Sequence, residues 1–157
     1  MPVNKDEFRS ALSRFASGVT VVTMQTEAQR LGGITVSAFS SVSLEPPLIL
    51  VCIEKRASLH DMFKEGVQFA VNILGEDQEL VSRRFASKDE DRFKGTGYTI
   101  GASGAPLLTD ALATIECRVV YAYPGGDHTI IVGEVDHAMV AEGKPLTYYR
   151  GGYAQLA

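Results

Sequence analysis

The sequence predicts a mainly β protein: a closed or nearly closed, mostly antiparallel barrel with short helices at its periphery. Three observations carry that prediction. β-Branched and apolar runs recur from Val19 to Val140, helical spacing is confined to short segments, and the regular βα alternation of a doubly wound sheet is missing. Closure into a barrel removes the open edges that so many strands would otherwise present.

Taken in order, Asn4 followed by Glu7 resembles a capping box, and Phe8, Leu12 and Phe15 recur at helical spacing, with Gly18 placed to end the helix. Strands follow at Val19–Met24, Gly33–Val36, Val42–Leu44 and Leu48–Ile53. The polar turn between the first two reads as a hairpin, and Pro46-Pro47 breaks the chain before the fourth. Ser58 is placed to cap a short helix over Leu59–Lys64, Val67–Ile73 is a strand, and Glu76–Phe85 is helix-like. Ser87–Lys94 is charged and reads as an exposed connection. Two long strands, Ala113–Tyr123 and Thr129–Val140, are joined by Pro124-Gly125-Gly126-Asp127. In the first of them Ile115, Cys117, Val119 and Tyr121 alternate with Thr114, Glu116 and Arg118, which predicts one face on a core and one on solvent or a partner.

The 157 residues suit one domain, 1–157, with no internal repeat. A hydrophobic share of 45% against 22% charged residues is that of a globular chain, not a disordered one. The formal charge of −4 argues against a nucleic-acid surface, which needs a basic stripe. Cys52 and Cys117 sit in apolar strands without metal-ligand or redox spacing, so they read as free buried thiols in a reducing compartment. The charged first ten residues lack the apolar core of a secretory signal, and the apolar run Leu48–Ile53 is too short to span a bilayer. The expected location is cytoplasmic, with no membrane and no nucleic-acid partner.

Several familiar patterns fail. Gly95, Gly97 and Gly101 have the wrong spacing for a dinucleotide loop, Gly101-Ala102-Ser103-Gly104 is not a nucleophile elbow, and His60, His128 and His137 have no metal-binding spacing. No metal is expected. The informative stretch is Gly33 to Leu48, where Thr35, Ser37, Ser40, Ser41 and Ser43 put five hydroxyls among small residues. Such a segment can meet the polar edge of a flat ring such as a flavin at close range, while apolar neighbours cover its faces. It can equally be a serine-rich turn with no ligand. Lys55-Arg56-Ala57-Ser58 then joins two cations and a hydroxyl at the start of a short helix, which suits an anion such as a phosphate. The plainer alternative is a capped helix with two solvated charges.

Five segments in this order resemble one family: Thr35 to Phe39 running on to Glu45-Pro46-Pro47-Leu48, Asn72-Ile73-Leu74, Arg84-Phe85-Ala86, Gly126-Asp127-His128, and Pro145 to Tyr153. The chain is similar over nearly its whole length to the short-chain flavin reductases of two-component flavin monooxygenases. The resemblance implies a homodimeric, FMN-binding split β-barrel of Greek-key type. It implies that Thr35, Val36, Ser37 and Ala38 meet the isoalloxazine, with Ser40 and Ser41 nearby. Cys52, Ile53, Lys55 and Ser58 would line the ribityl and phosphate region, and Asn72, Arg84, Phe85 and Ala86 would complete the pocket. His128, Tyr149, Arg150 and Gly151 would face the nicotinamide.

The activity implied is reduction of FMN or FAD by NADH or NADPH, and delivery of the reduced flavin to a separate flavin-dependent monooxygenase. Hydride transfer needs two rings held face to face at about 3–3.5 Å and no acid, base or nucleophile from the protein, so no catalytic side chain is expected. Two other readings stay open. One is a flavoprotein oxidase of the pyridoxamine-phosphate-oxidase type, which keeps its flavin; the other is a flavin carrier without turnover.

Overall fold

A computed structural model describes residues 1–157. Its elements are α1 (Lys5–Leu12), β1 (Ser17–Gly18), β2 (Thr20–Gln25), β3 (Leu31–Val36), β4 (Phe39–Ser43), β5 (Leu48–Glu54), β6 (Gln68–Ile73), α2 (Glu79–Phe85), β7 (Tyr98–Ile100), β8 (Pro106–Leu108), β9 (Ala113–Gly125), β10 (His128–Val140), β11 (Thr147–Tyr149) and β12 (Gly152–Ala154). Seven strands form one antiparallel sheet in the order β3-β2-β6-β9-β10-β5-β4. Its two edges, β3 and β4, are consecutive in the chain and joined by Ser37-Ala38, yet no ladder pairs them. The sheet therefore curls into a barrel that stays split along one seam. β5 and β6 are also consecutive but pair with β10 and β2, a Greek-key type of crossover.

Closure follows from burial. Val22 and Met24 of β2, Val36 of β3, Val51 and Ile53 of β5, Phe69 and Val71 of β6, Cys117 and Val119 of β9 and Ile131 of β10 all meet in one core inside the barrel. The opposite face of β2 sends Val21 outward, with the preceding Val19, against Leu74, Phe85, Leu108 and Leu146. β2 thus has a core on both sides, which is why its sequence is nearly continuous in apolar residues. Its two buried threonines are satisfied by carbonyls, Thr20 Oγ1 donating to Val36 O and Thr23 Oγ1 to Pro106 O, both at 2.6 Å. Gly33 allows α2 to dock on β3: a Cβ there would come within 2.6 Å of the buried Phe85 ring.

The structure corrects several sequence expectations. Asn4 caps α1, its Oδ1 accepting from the Glu7 N–H at 2.8 Å, and the Glu7 carboxylate returns to the Asn4 side-chain amide at 2.8 Å, but α1 stops at Leu12, where Ser13 Oγ bonds back to Ser10 O at 2.8 Å. Gly18 is a strand residue, not a cap. Ser58 caps nothing. The helix expected after it is one 3₁₀ turn, His60–Met62, pinned by buried Leu59 and Phe63 and by a 2.7 Å bond between His60 Nε2 and Thr129 Oγ1. α2 begins three residues late because Gln78 is occupied elsewhere, accepting from Gly75 N at 2.9 Å and donating to Thr109 O at 3.0 Å. The connection 87–94 is only partly exposed: Phe93 packs edge-on to Phe85, with ring centroids 4.9 Å apart. Glu116, on the face expected to be wet, is buried and accepts from Ser103 N at 2.9 Å and Ser103 Oγ at 2.6 Å. A local alternation cannot show that the loop 101–105 will fold over it.

Candidate functional site

The seam collects the hydroxyl-rich segment. Alternation along β3 turns Val36 into the core and leaves Thr35 and Ser37 on the other face. Thr35 Oγ1 donates to Ser82 O of α2 at 2.6 Å, and Ser82 Oγ bonds Tyr153 OH of β12 at 2.6 Å. Thr35, Ser37, Ala86 and Tyr148, with these two partners, line a cavity of about 240 Å³. On the far side of the seam Ala38 O accepts from Cys52 N at 3.0 Å, which holds the Ser37-Ala38 link against β5. Ser40 and Ser41 lie exposed on β4 opposite Leu50 and Ile49, and Ser40 Oγ bonds the neighbouring Ser41 O at 2.9 Å.

The register of β5 on β10 then brings the second segment to the glycine hairpin. Glu54 lies opposite His128, and Lys55 N donates to Asp127 O at 2.9 Å. Arg56, Ala57 and Ser58 open onto a cleft of about 500 Å³ whose other walls are Arg30–Gly33 and Lys88–Phe93. Neither Lys55 nor Arg56 makes an ion pair, and Ser58 Oγ has no protein partner, so all three can face an anion. The helix start expected to assist them is absent.

His128 Nδ1 lies 2.7 Å from Asp127 Oδ1, while its Nε2 has no protein partner and the ring is half-buried. The hydrogen bond to His128, then its charge and that of Arg56, hold the Asp127 carboxyl below the usual carboxylate range. The imidazole therefore keeps its anchoring carboxylate down to pH values below that range, and loses it only as pH falls through the lowered value. Tyr149 ends β11, and Arg150 and Gly151 form the turn to β12, where they take φ of 52° and 77° and Arg150 N donates to Ser13 O at 2.9 Å. No hydrogen bond links that turn to His128, so the two parts of the expected nicotinamide side lie on separate sheets.

Five expected contacts change character. Val36 and Ile53 point into the barrel core, the outcome that period-two alternation dictates once Thr35 and Cys52 face the other way. Asn72 is fully enclosed: its amide donates to Val21 O at 2.9 Å and Thr23 Oγ1 at 3.0 Å and accepts from Leu108 N at 2.9 Å. Phe85 is enclosed as well. Arg84 is turned toward its own loop, bonding Arg92 O at 2.7 Å and Asp91 O at 3.1 Å. Cys52 is half-buried rather than buried, and burial raises its thiol pKa, while burial pushes the Cys117 thiol up to about 12. Neither is a nucleophile at neutral pH. Sequence reasoning missed Ser82 as a wall of the smaller cavity, and Arg30 and Arg92 as walls of the larger one. Nothing local marks them, because the docking of α2 on β3, the turn before β3 and the loop that Arg92 holds against β3 bring them to the seam.

Residues 12–157 match the family described as the flavin reductase like domain. FMN reductase (NADH) SmoA of Agrobacterium fabrum is 41% identical over 154 residues, covering 98% of this chain and 87% of that protein. The reductase component of 4-hydroxyphenylacetate 3-monooxygenase from Thermus thermophilus is 42% identical over 157 residues, covering 97% of each. Among solved structures, the NADH:FAD oxidoreductase SgcE6 of Streptomyces globisporus C-1027, in complex with NAD and FAD fragments, superposes with a TM-score of 0.92 at 36% identity, over 98% of this chain and 93% of that one.

Proposed function

The chain belongs to the flavin reductase like family, and from that premise we propose that it oxidises NADH or NADPH, reduces FMN or FAD, and hands the reduced flavin to a separate flavin-dependent monooxygenase. One observation carries the reading: the only unladdered seam of the barrel presents hydroxyls and small residues at one end and unpaired cations at the other. A flavin needs that polarity, a hydrogen-bonding edge at the ring and an anion site at the tail. The residues present fit it. When bound, the flavin supplies the acceptor for a hydride from the reduced nicotinamide.

The protein's own part is positioning. Thr35, Ser37 and Ala38 meet the ring edge, and Ala86 closes one side. Cys52 borders the ribityl chain, and Lys55 and Ser58 hold the phosphate. His128, steadied by Asp127, offers Nε2 to the nicotinamide amide, with Tyr149, Arg150 and Gly151 bounding the dinucleotide. Because these interactions hold the rings without proton transfer, rate depends on orientation.

The test is flavin-dependent oxidation of NADH and NADPH with FMN and FAD. Turnover is expected, and silence with every pair would refute the reading in favour of a carrier or an oxidase. His128→Ala should raise the nicotinamide KM about tenfold, roughly 1.4 kcal/mol, with the flavin KM little changed.

The whole chain works as one unit in this proposal, and as a homodimer. Phe8, Leu12 and Phe15 on and beside α1, Val42 on β4 and Leu44 just beyond it are large apolar side chains left exposed, which a second copy would cover. Sedimentation should therefore give twice the chain mass, and a monomer at micromolar concentration would exclude the dimer. No helix is long and apolar enough to cross a membrane; we place the reaction in the cytoplasm, where nicotinamide reductant is supplied.

A further inference from the structure

We propose that Tyr153 is a positioning residue for hydride transfer: through Ser82 it fixes the turn that bounds the nicotinamide relative to Thr35 at the flavin ring. The assignment rests on the reductase reading above and adds to it what sets the spacing of the two rings. The turn Arg150-Gly151 belongs to the hairpin of β11 and β12, which lies outside the barrel sheet, in a three-stranded sheet with β1. Thr35 belongs to the barrel sheet. Two rings stay stacked at a working distance only if the hairpin and the barrel keep one relative position.

Backbone bonds hold the hairpin at its base, where Thr147 and Tyr148 pair with Gly18 and Ser17 and Leu146 N donates to Leu74 O at 3.0 Å. At its turn the backbone tether is Arg150 N to Ser13 O at 2.9 Å, and Ser13 ends α1, a helix that buries no residue. The one side-chain hydrogen bond from the hairpin to another element joins Tyr153 OH to Ser82 Oγ of α2 at 2.6 Å. Ser82 is fully buried, so its hydroxyl needs that partner, and its carbonyl accepts from Thr35 Oγ1 at 2.6 Å. A single residue of α2 thus holds the threonine with its backbone and the hairpin with its side chain. The phenol ring is clamped on two sides. Arg83, whose Nε donates to Glu79 Oε2 at 2.8 Å, lies 4.8 Å from the ring centre, and Tyr148 packs edge-on at 5.3 Å. Those contacts do not need the hydroxyl, so Tyr153→Phe removes the link and keeps the packing and the cavity wall.

Amide hydrogen exchange on the ligand-free full chain, with the kinetics of three variants, tests this. In the parent, residues 147–154 should exchange together with α2 as one cooperative unit. Tyr153→Phe should speed exchange in 147–154 at least about tenfold and leave the barrel strands unchanged. Its kcat for NADH oxidation should fall about tenfold, with nicotinamide KM and flavin Kd within about twofold of the parent. The charge-transfer absorbance of stacked flavin and nicotinamide should weaken in step with kcat. Ser82→Ala should slow turnover equally, and the double variant should be no slower than either single, because both remove one link. A parent hairpin that exchanges apart from α2 would overturn the assignment, as would parental kcat in Tyr153→Phe. Losses that multiply to about a hundredfold in the double variant would overturn it too, and so would a loss of flavin affinity that accounts for the fall in rate. Absence of flavin-dependent NADH oxidation in the parent would instead overturn the reductase reading, and this assignment with it.

Discussion

Replacing Asn72 with alanine is expected to lower the unfolding free energy by about 2–4 kcal/mol, read as a shift of the urea midpoint at unchanged slope. The side chain is fully buried between β2 and β8 and makes three hydrogen bonds, to Val21 O, Thr23 Oγ1 and the Leu108 N–H. Truncation strands that N–H in the interior, at about 1–3 kcal/mol, and adds the loss of a cavity-filling amide. The folded fraction should retain the parent's flavin affinity, because Asn72 reaches the seam only through the strands it ties. A variant of native stability that had lost flavin binding would reverse this assignment and restore the direct ligand contact that the family resemblance implies.

Ser37→Phe should do the opposite. Ser37 is exposed at the end of β3, its hydroxyl has no protein partner, and it lines the 240 Å³ cavity with Thr35 and Ala86. A phenyl group there occupies space the proposal gives to the isoalloxazine. Flavin affinity should fall at least about 30-fold, roughly 2 kcal/mol, while Tm stays within a degree or two of the parent. Full flavin binding by a folded Ser37→Phe protein would move the ring out of this cavity. Together the two variants separate residues that build the seam from residues that face into it.

Much of this architecture can be read without coordinates wherever the cause is local. The helix cap at Asn4, the glycine hairpin between β9 and β10 and the mainly β class all follow from neighbouring residues. The hydroxyl-rich segment was likewise recognisable, and the order of five short segments pointed to the right family. The family resemblance groups Val36 and Ile53 with their neighbours as ligand contacts, although alternation places successive side chains on opposite faces and turns these two into the core. Asn72 was harder to judge, because its partners Val21, Thr23 and Leu108 lie tens of residues away.

The chain's own order of residues marks its longer strands, its glycine hairpin and its stock of hydroxyls and cations, because backbone propensity and side-chain periodicity act over a few positions. Folding alone settles which of them share a surface. Contacts among distant turns, loops and strands set Arg30, Arg56 and Asp91 around one cleft and enclose Glu116 under the loop 101–105 and Asn72 between β2 and β8. Sheet pairing also leaves β3 and β4, joined by only two residues, as the edges of an open seam. Those outcomes depend on contacts between distant strands, whose energies no local window of sequence contains.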